Sequence, residues 1–326
     1  MDRHPVIENT IAFNTKPLQE CVDIFKDRMS HGDRGMMIHA PPKQGVSTVC
    51  RHICTQMRTA ATAVVLFAPA VRSDDVPVTK QADALWSQLI PSNAAVKSYV
   101  TNLSQVLARY IEVEANRLGT KHVIFSIDRV ASLSLHQWEA LRSLLENLRN
   151  QQKLSCFALL AGQSEVLSLP KRMNRHLRHA LVAEFFLASH RLRGIYPDEL
   201  GEVLQHYDAT RFPLPDGPTY TQHFCPGSWE RGLRLASYSQ VMQDEFARIL
   251  QTTGKGAKEL GMEYVAAAAR RFMLGADAAI GVGHDALTAL ARASVAQSGF
   301  RESLILLGNP EADALDNNLS ASPGWR

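Results

Sequence analysis

Over its first half this chain alternates short apolar runs with stretches of helical period. Met36 to His39, with Gly35 before it and Pro41-Pro42 after it, is the first run. Ala63 to Phe67, His122 to Ile127 and Cys156 to Leu160 follow, and Leu181 to Leu187 reads as a fifth. Runs this short, bounded by turn residues, fit buried strands better than helices. Between them, Pro17–Met29, Ser47–Met57, Lys80–Ile90, Ala95–Leu118 and His136–Asn150 read as helices; the last has a stripe of Trp138, Leu141, Leu144, Leu145 and Leu148. Such alternation predicts an α/β fold, a parallel sheet flanked by helices on both faces.

After Pro197 only helical patterns remain: Asp198–His206, Ser228–Leu250, Met262–Met273 and His284–Ala296, around a Pro/Gly loop at Phe212–Pro218. The organisation expected is an α/β subdomain over 1–195 including the N-terminal helix, a helical subdomain over 196–308, and a polar flexible tail over 309–326. The alanine-rich helices from Met262 to Ala296 suit either the core of that helical part or a docking face for a partner.

Composition removes several classes. Hydrophobic residues make up 45% of the 326, as in an ordinary globular chain. No run of about 18 uncharged apolar residues exists, so no membrane span is expected. Met1 to Asn9 lacks the apolar core of a secretory signal. The five cysteines (Cys21, Cys50, Cys54, Cys156, Cys225) form no C-x-x-C pair, with Cys50 and Cys54 on one helix face. A zinc or disulfide framework is therefore not expected, and a reducing cytoplasm fits. The net charge of +3 is too mild to define a nucleic-acid partner unless the basic residues cluster.

The segment Ala40-Pro41-Pro42-Lys43-Gln44-Gly45-Val46-Ser47-Thr48 lies between the first strand and its helix, where a phosphate-binding loop belongs. Against G-x-x-x-x-G-K-[ST], Ala40 holds the first glycine position, Gly45 the second and Ser47 the magnesium-ligand position. Val46 stands where the pattern has lysine. That lysine brings positive charge to the β- and γ-phosphates, and valine brings none. Backbone N–H groups and a helix start still offer an anion site, so ATP with magnesium would bind weakly or not at all. Lys43, three residues earlier, offers a substitute cation.

His122 to Asp128 is an apolar strand ending in an acid, the Walker B pattern, with Asp128 suited to hold hydrated magnesium beside Ser47. Asp128 suits equally a cap on the turn after a buried strand. Many such ATPases carry a glutamate next, and this chain has Arg129. In position and order these motifs resemble those of AAA+ proteins. Gln163, at the end of the fourth run, corresponds to the sensor 1 residue, or is an ordinary turn amide. The densest basic cluster, Lys171, Arg172, Arg175, His176, Arg178 and His179, suits DNA phosphates, a neighbouring subunit's nucleotide, or a solvated face.

Pro226-Gly227-Ser228-Trp229-Glu230-Arg231-Gly232-Leu233-Arg234 resembles the sensor 2 helix of AAA+ lids, with Arg231 the first choice for nucleotide contact and Arg234 the second. With Leu214-Pro215-Asp216-Gly217-Pro218-Thr219-Tyr220-Thr221-Gln222-His223-Phe224 before it, the region is similar to the lid of TniB/TnsC-type transposition regulators. The similarity covers roughly residues 10 to 275. It implies a P-loop AAA+ domain with a helical lid that assembles as a homo- or hetero-oligomer on duplex DNA and links a target-selection protein to a transposase. Only Ser47 and Asp128 carry over cleanly from the family's hydrolytic set. Three functions stay open: a regulator of DNA transposition with impaired or absent hydrolysis, an active DNA-stimulated ATPase using Lys43, and an initiator- or clamp-loader-like AAA+ protein of replication.

Overall fold

A computed structural model describes residues 4–8, 10–70, 76–91, 102–253 and 258–307. The expected polar tail over 309–326 and the first part of the expected helix from Ala95 lie outside the described residues. The chain forms two compact units. One is the α/β unit, residues Glu20–Pro41 and Val46–Leu192; the other is helical and takes the described residues up to Gln19, Pro42–Gly45, and those from Arg193 to Leu307.

The α/β unit holds strands β1 (Gly35–Ala40), β2 (Val64–Pro69), β3 (His122–Asp128), β4 (Ser155–Gln163) and β5 (Ser189–Arg191). They form one sheet in the order β2-β3-β4-β1-β5. Every pairing is parallel. Strand side chains alternate between faces. Val123, Phe125 and Ile127 of β3, with Cys156, Ala158 and Leu160 of β4, therefore enter one core with Trp86, Ile111, Trp138, Leu145 and Phe185. On the other parity, Phe157 meets Phe25 edge-on with ring centroids 5.3 Å apart. Ser126 there lies against the buried thiols of Cys50 and Cys54, one helical turn apart on the helix Val46–Thr59.

The helix Leu135–Gln151 starts at a capping box, in which Ser134 and Gln137 each bond the other's backbone N–H, and its five-residue apolar stripe is fully buried. Glu184, also buried, accepts hydrogen bonds from Arg34 at 2.9 Å and from Arg149. Burial pushes the Glu184 carboxyl up, and the two guanidinium groups outweigh it and hold it below the usual range.

One expected strand is corrected. Residues His179–Phe185 are helical, and the fifth strand is the three-residue β5. Leu181 and Phe185 are four apart and both buried, with the Phe185 and Phe186 rings tilted against Trp138 at centroid distances of 5.2 and 5.3 Å. A short apolar run fits either period, and here the helical one wins.

In the helical unit the segment read as one helix, Ser228–Leu250, is three pieces: the helix Pro226–Glu230, a 3-10 turn Leu235–Tyr238, and the helix Ser239–Thr253. Gly232 breaks it with φ +87°, a conformation that strongly favours glycine. Asp208 then ties the pieces: it accepts from Leu235 N–H at 3.0 Å, Ala236 N–H at 2.9 Å and the Thr221 hydroxyl at 2.6 Å. The helices Met262–Ile280 and His284–Ala296 bury Ala268, Ala269, Phe272, Ala276, Leu287 and Ala291 in this unit's own core. Gly275 lets Leu290 come close, since a Cβ there would meet the Leu290 side chain at 3.0 Å.

Candidate nucleotide site

Three adjacent strands of the α/β unit bring candidate residues to one edge. β1 ends at Ala40, which is in register with Gln163, the last residue of β4. β3, on the other side of β4, pairs Ile127 with Leu160 and ends at Asp128. Ala40, Asp128 and Gln163 thus share the carboxyl edge of the sheet, the side on which open α/β sheets bind ligands.

The loop after Ala40 turns through two left-handed residues, Lys43 at φ +73° and Gly45 at φ +96°. A Cβ on Gly45 would meet no atom within 4 Å, so glycine is required there by backbone conformation and not by space. Left-handed Lys43 costs roughly 1–2 kcal/mol without compensation. Glu263 supplies it: its N–H donates to the Lys43 carbonyl at 3.1 Å, and its Oε1 pairs with Lys43 Nζ at 2.5 Å. That hydrogen bond raises the Lys43 ammonium above its ordinary value. The helix then starts at Val46, whose side chain is buried, with half-buried Ser47 and Thr48 on the same first turn.

Asp128 is buried, and its Oδ1 accepts the Arg129 N–H at 2.8 Å. Arg129 is exposed with φ +58° and leads into the 3-10 turn Val130–Ser132. That bond reaches only the next residue's N–H, and the turn Val130–Ser132 has no side-chain cap. Gln163 is exposed at the end of β4 in an extended conformation.

The basic cluster lies on the helix Leu169–Arg175 and the turn after it. Leu169 and Met173 anchor it in the core; Lys171, Arg175, His176 and His179 are exposed. Arg172 is half-buried, which pushes its guanidinium down, and Arg178 pairs with Glu139 at 2.9 Å. Leu177, in the turn, is 80% exposed with φ +57°.

In the helical unit Arg231 is exposed at the C-terminal end of Pro226–Glu230. Arg234 is committed locally: it donates to the carbonyls of Leu233 at 2.7 Å and Trp229 at 3.3 Å and lies 3.5 Å over the Trp229 ring. Asp277 accepts the Ser228 N–H at 2.7 Å and the Gly227 N–H at 3.3 Å. Burial pushes the Asp277 carboxyl up; the Ser228 and Gly227 bonds, with Arg231 nearby, outweigh it and hold it low. Neither Glu263 nor Asp208 stood out in the sequence. The only signal for Glu263 is an acid in the first turn of a helix, which the helix dipole explains without any partner.

A magnesium-bound nucleoside triphosphate can be tested against these residues. The backbone of the loop and the start of the 14-residue helix Val46–Thr59 fit a phosphate anion. The charged groups do not fit hydrolysis. Val46 is apolar and packed, Lys43 is paired with Glu263, and a cation, Arg129, stands after Asp128.

No protein-family model matches the chain, and no curated protein matches it in sequence. Solved structures do. ORC2 of Aeropyrum pernix, in ADPNP and ADP complexes, superposes with TM-score 0.58 at 13% identity, over 91% of this chain and 72% of that one. Cdc6p of Pyrobaculum aerophilum superposes with TM-score 0.52 at 10% identity, over 82% of this chain and 64% of that one. The chain has the α/β P-loop fold of AAA+ ATPases, with a helical C-terminal region. No helix among the described residues is long and apolar enough to cross a membrane.

Proposed function

We propose that this protein is a regulator of DNA transposition built on an AAA+ fold with impaired or absent ATP hydrolysis, acting on duplex DNA between a target-selection protein and a transposase. One observation carries the loss of hydrolysis: the phosphate-loop lysine position holds the buried Val46, and the cation nearest to it in sequence, Lys43, is bound to Glu263. Removing a preorganised electrostatic group of this kind costs on the order of 3–4 kcal/mol of transition-state stabilisation. Binding needs less. The loop backbone from Gly45 to Thr48 holds phosphates through N–H groups, and Ser47 and Asp128 hold magnesium if nucleotide binds. The assignment to transposition rests on the likeness of residues 214–236 to TniB/TnsC-type lids.

DNA contact falls to Lys171, Arg172, Arg175 and Arg178, or these reach a neighbouring subunit in a homo- or hetero-oligomer. Charge supports this. Residues 20–41 and 46–192 carry twenty Lys and Arg against fourteen Asp and Glu, a surplus of six in a chain whose net charge is +3. The protein acts in the cytoplasm. An initiator- or clamp-loader-like role in replication gains from the likeness to ORC2 and Cdc6p, which at 13% and 10% identity lies in the fold alone.

Fluorescence anisotropy with a labelled duplex, at several salt concentrations and with ATP or its non-hydrolysable analogue, tests the reading. Expected is salt-sensitive binding that the two nucleotides support equally, and co-purification with a transposase on that DNA. Absence of duplex binding at low salt would remove the DNA role, and binding that requires hydrolysis would favour the active ATPase.

A further inference from the structure

Within the helical unit the tip of the phosphate loop is gripped twice by one residue. The Glu263 carboxylate holds the Lys43 ammonium at 2.5 Å, and the Glu263 N–H holds the Lys43 carbonyl at 3.1 Å. The approach is close: a Cβ on Gly261 would meet the Lys43 carbonyl oxygen at 3.1 Å. The segment carrying Glu263 is itself fixed. Leu260 and Ile195 exchange both backbone hydrogen bonds, at 2.7 and 2.9 Å, and Glu259 accepts the Gly194 N–H at 2.9 Å. Gly194 allows this approach, since a Cβ there would meet the Leu260 carbonyl oxygen at 2.6 Å. A carboxylate on a fixed segment therefore sits against the single lysine of residues 40–48.

We propose that Glu263 is an internal counter-anion of the phosphate loop, and that a nucleotide's phosphates compete with it for Lys43. This rests on reading residues 40–48 as a phosphate-binding loop. The chain thereby controls its own nucleotide affinity: with Glu263 in place the loop's one lysine is neutralised, and nucleotide gains that charge only by displacing the carboxylate. Lys43 and Glu263 are each about half exposed, with side-chain exposures of 46% and 42%, so phosphate can reach the pair and water screens it.

Isothermal titration of the full chain with ADP and magnesium tests this in four proteins: unaltered, Glu263→Gln, Lys43→Ala and the double variant. Glu263→Gln keeps the backbone bond and removes only the charge. It is expected to bind ADP about two- to fivefold more tightly, the range an exposed ion pair supports. In the Lys43→Ala background the same substitution is expected to change nothing. Unchanged or weaker affinity in Glu263→Gln overturns the proposal. So does an equal gain without Lys43, which would mean a general charge effect, and so does failure of both the unaltered protein and Glu263→Gln to bind millimolar ADP. Turnover is a separate readout: activity abolished by Lys43→Ala would sink the non-hydrolysing reading and leave the competition standing.

Discussion

The two units treat their polar groups differently. In the α/β unit the carboxyl edge of the sheet carries few hydrolytic groups: Val46 is apolar, the buried Asp128 accepts its neighbour's N–H, and Arg129 stands where many ATPases have an acid. In the helical unit the polar groups are tightly used. Asp208 joins Thr221, Leu235 and Ala236; Glu199 holds Arg193 bidentately at 2.7 and 2.9 Å; Asp277 caps the helix at Pro226. The difference teaches that what this chain has kept is architecture. Groups that fix shape are satisfied by several bonds, whereas the lysine position of the phosphate loop is apolar and Lys43, the cation nearest to it in sequence, is paired with Glu263.

Substitutions can break that comparison, and the largest effect is expected at Glu184. Glu184→Ala leaves Arg149, which is well buried, without its carboxylate, and should cost about 3–5 kcal/mol in urea denaturation. Because the folded carboxyl is held low, its contribution is fully present above the unfolded value of about 4.3 and is lost as pH falls through the folded value. Acid unfolding of Glu184→Gln should accordingly be less steep than that of the unaltered protein. A steepness equal to the unaltered protein's would mean that other carboxylates dominate.

Next comes Asp208→Ala, which strips acceptors from two backbone N–H groups and one hydroxyl and should cost about 3 kcal/mol. Hydrogen exchange at Leu235 and Ala236 reports it locally. A cost under about 1 kcal/mol would show that polar ties matter little to the helical unit. Smaller again, Arg234→Ala should destabilise by about 1 kcal/mol through removal of the Trp229 stacking, while Arg231→Ala, at an exposed position, should leave the melting temperature nearly unchanged. Equal effects on stability would erase the distinction between the two arginines. The smallest effect concerns the basic helix. Removing Lys171 or Arg175 should leave stability alone and lower the salt slope of duplex binding by about 0.9 for each phosphate that the side chain had neutralised.

Much of the α/β unit was legible because its signals are repetitive and local. Four strands and the stripe on Leu135–Gln151 follow from burial periodicity that nothing in the tertiary structure overrides. β5 was not, because Ser189-His190-Arg191 is short, polar and at the sheet edge, while the apolar run before it matched a strand in composition and a helix in spacing. The break at Gly232 was missed for a related reason: apolar periodicity runs through it, and the left-handed turn appears only once Asp208 supplies a cap from a distant helix. At the candidate site the loop and Asp128 were readable from order along the chain. The Lys43–Glu263 pair was not, since 220 residues separate its members and neither is unusual in its own helix or loop.

The most direct test is ATP turnover by the purified full chain, measured beside ATP binding, with and without duplex DNA. A chain with Val46 in the lysine position should show turnover at background in both conditions, even where binding is detectable. DNA-stimulated turnover that Lys43→Ala abolishes would contradict this, because Lys43 would then supply the charge that Val46 does not.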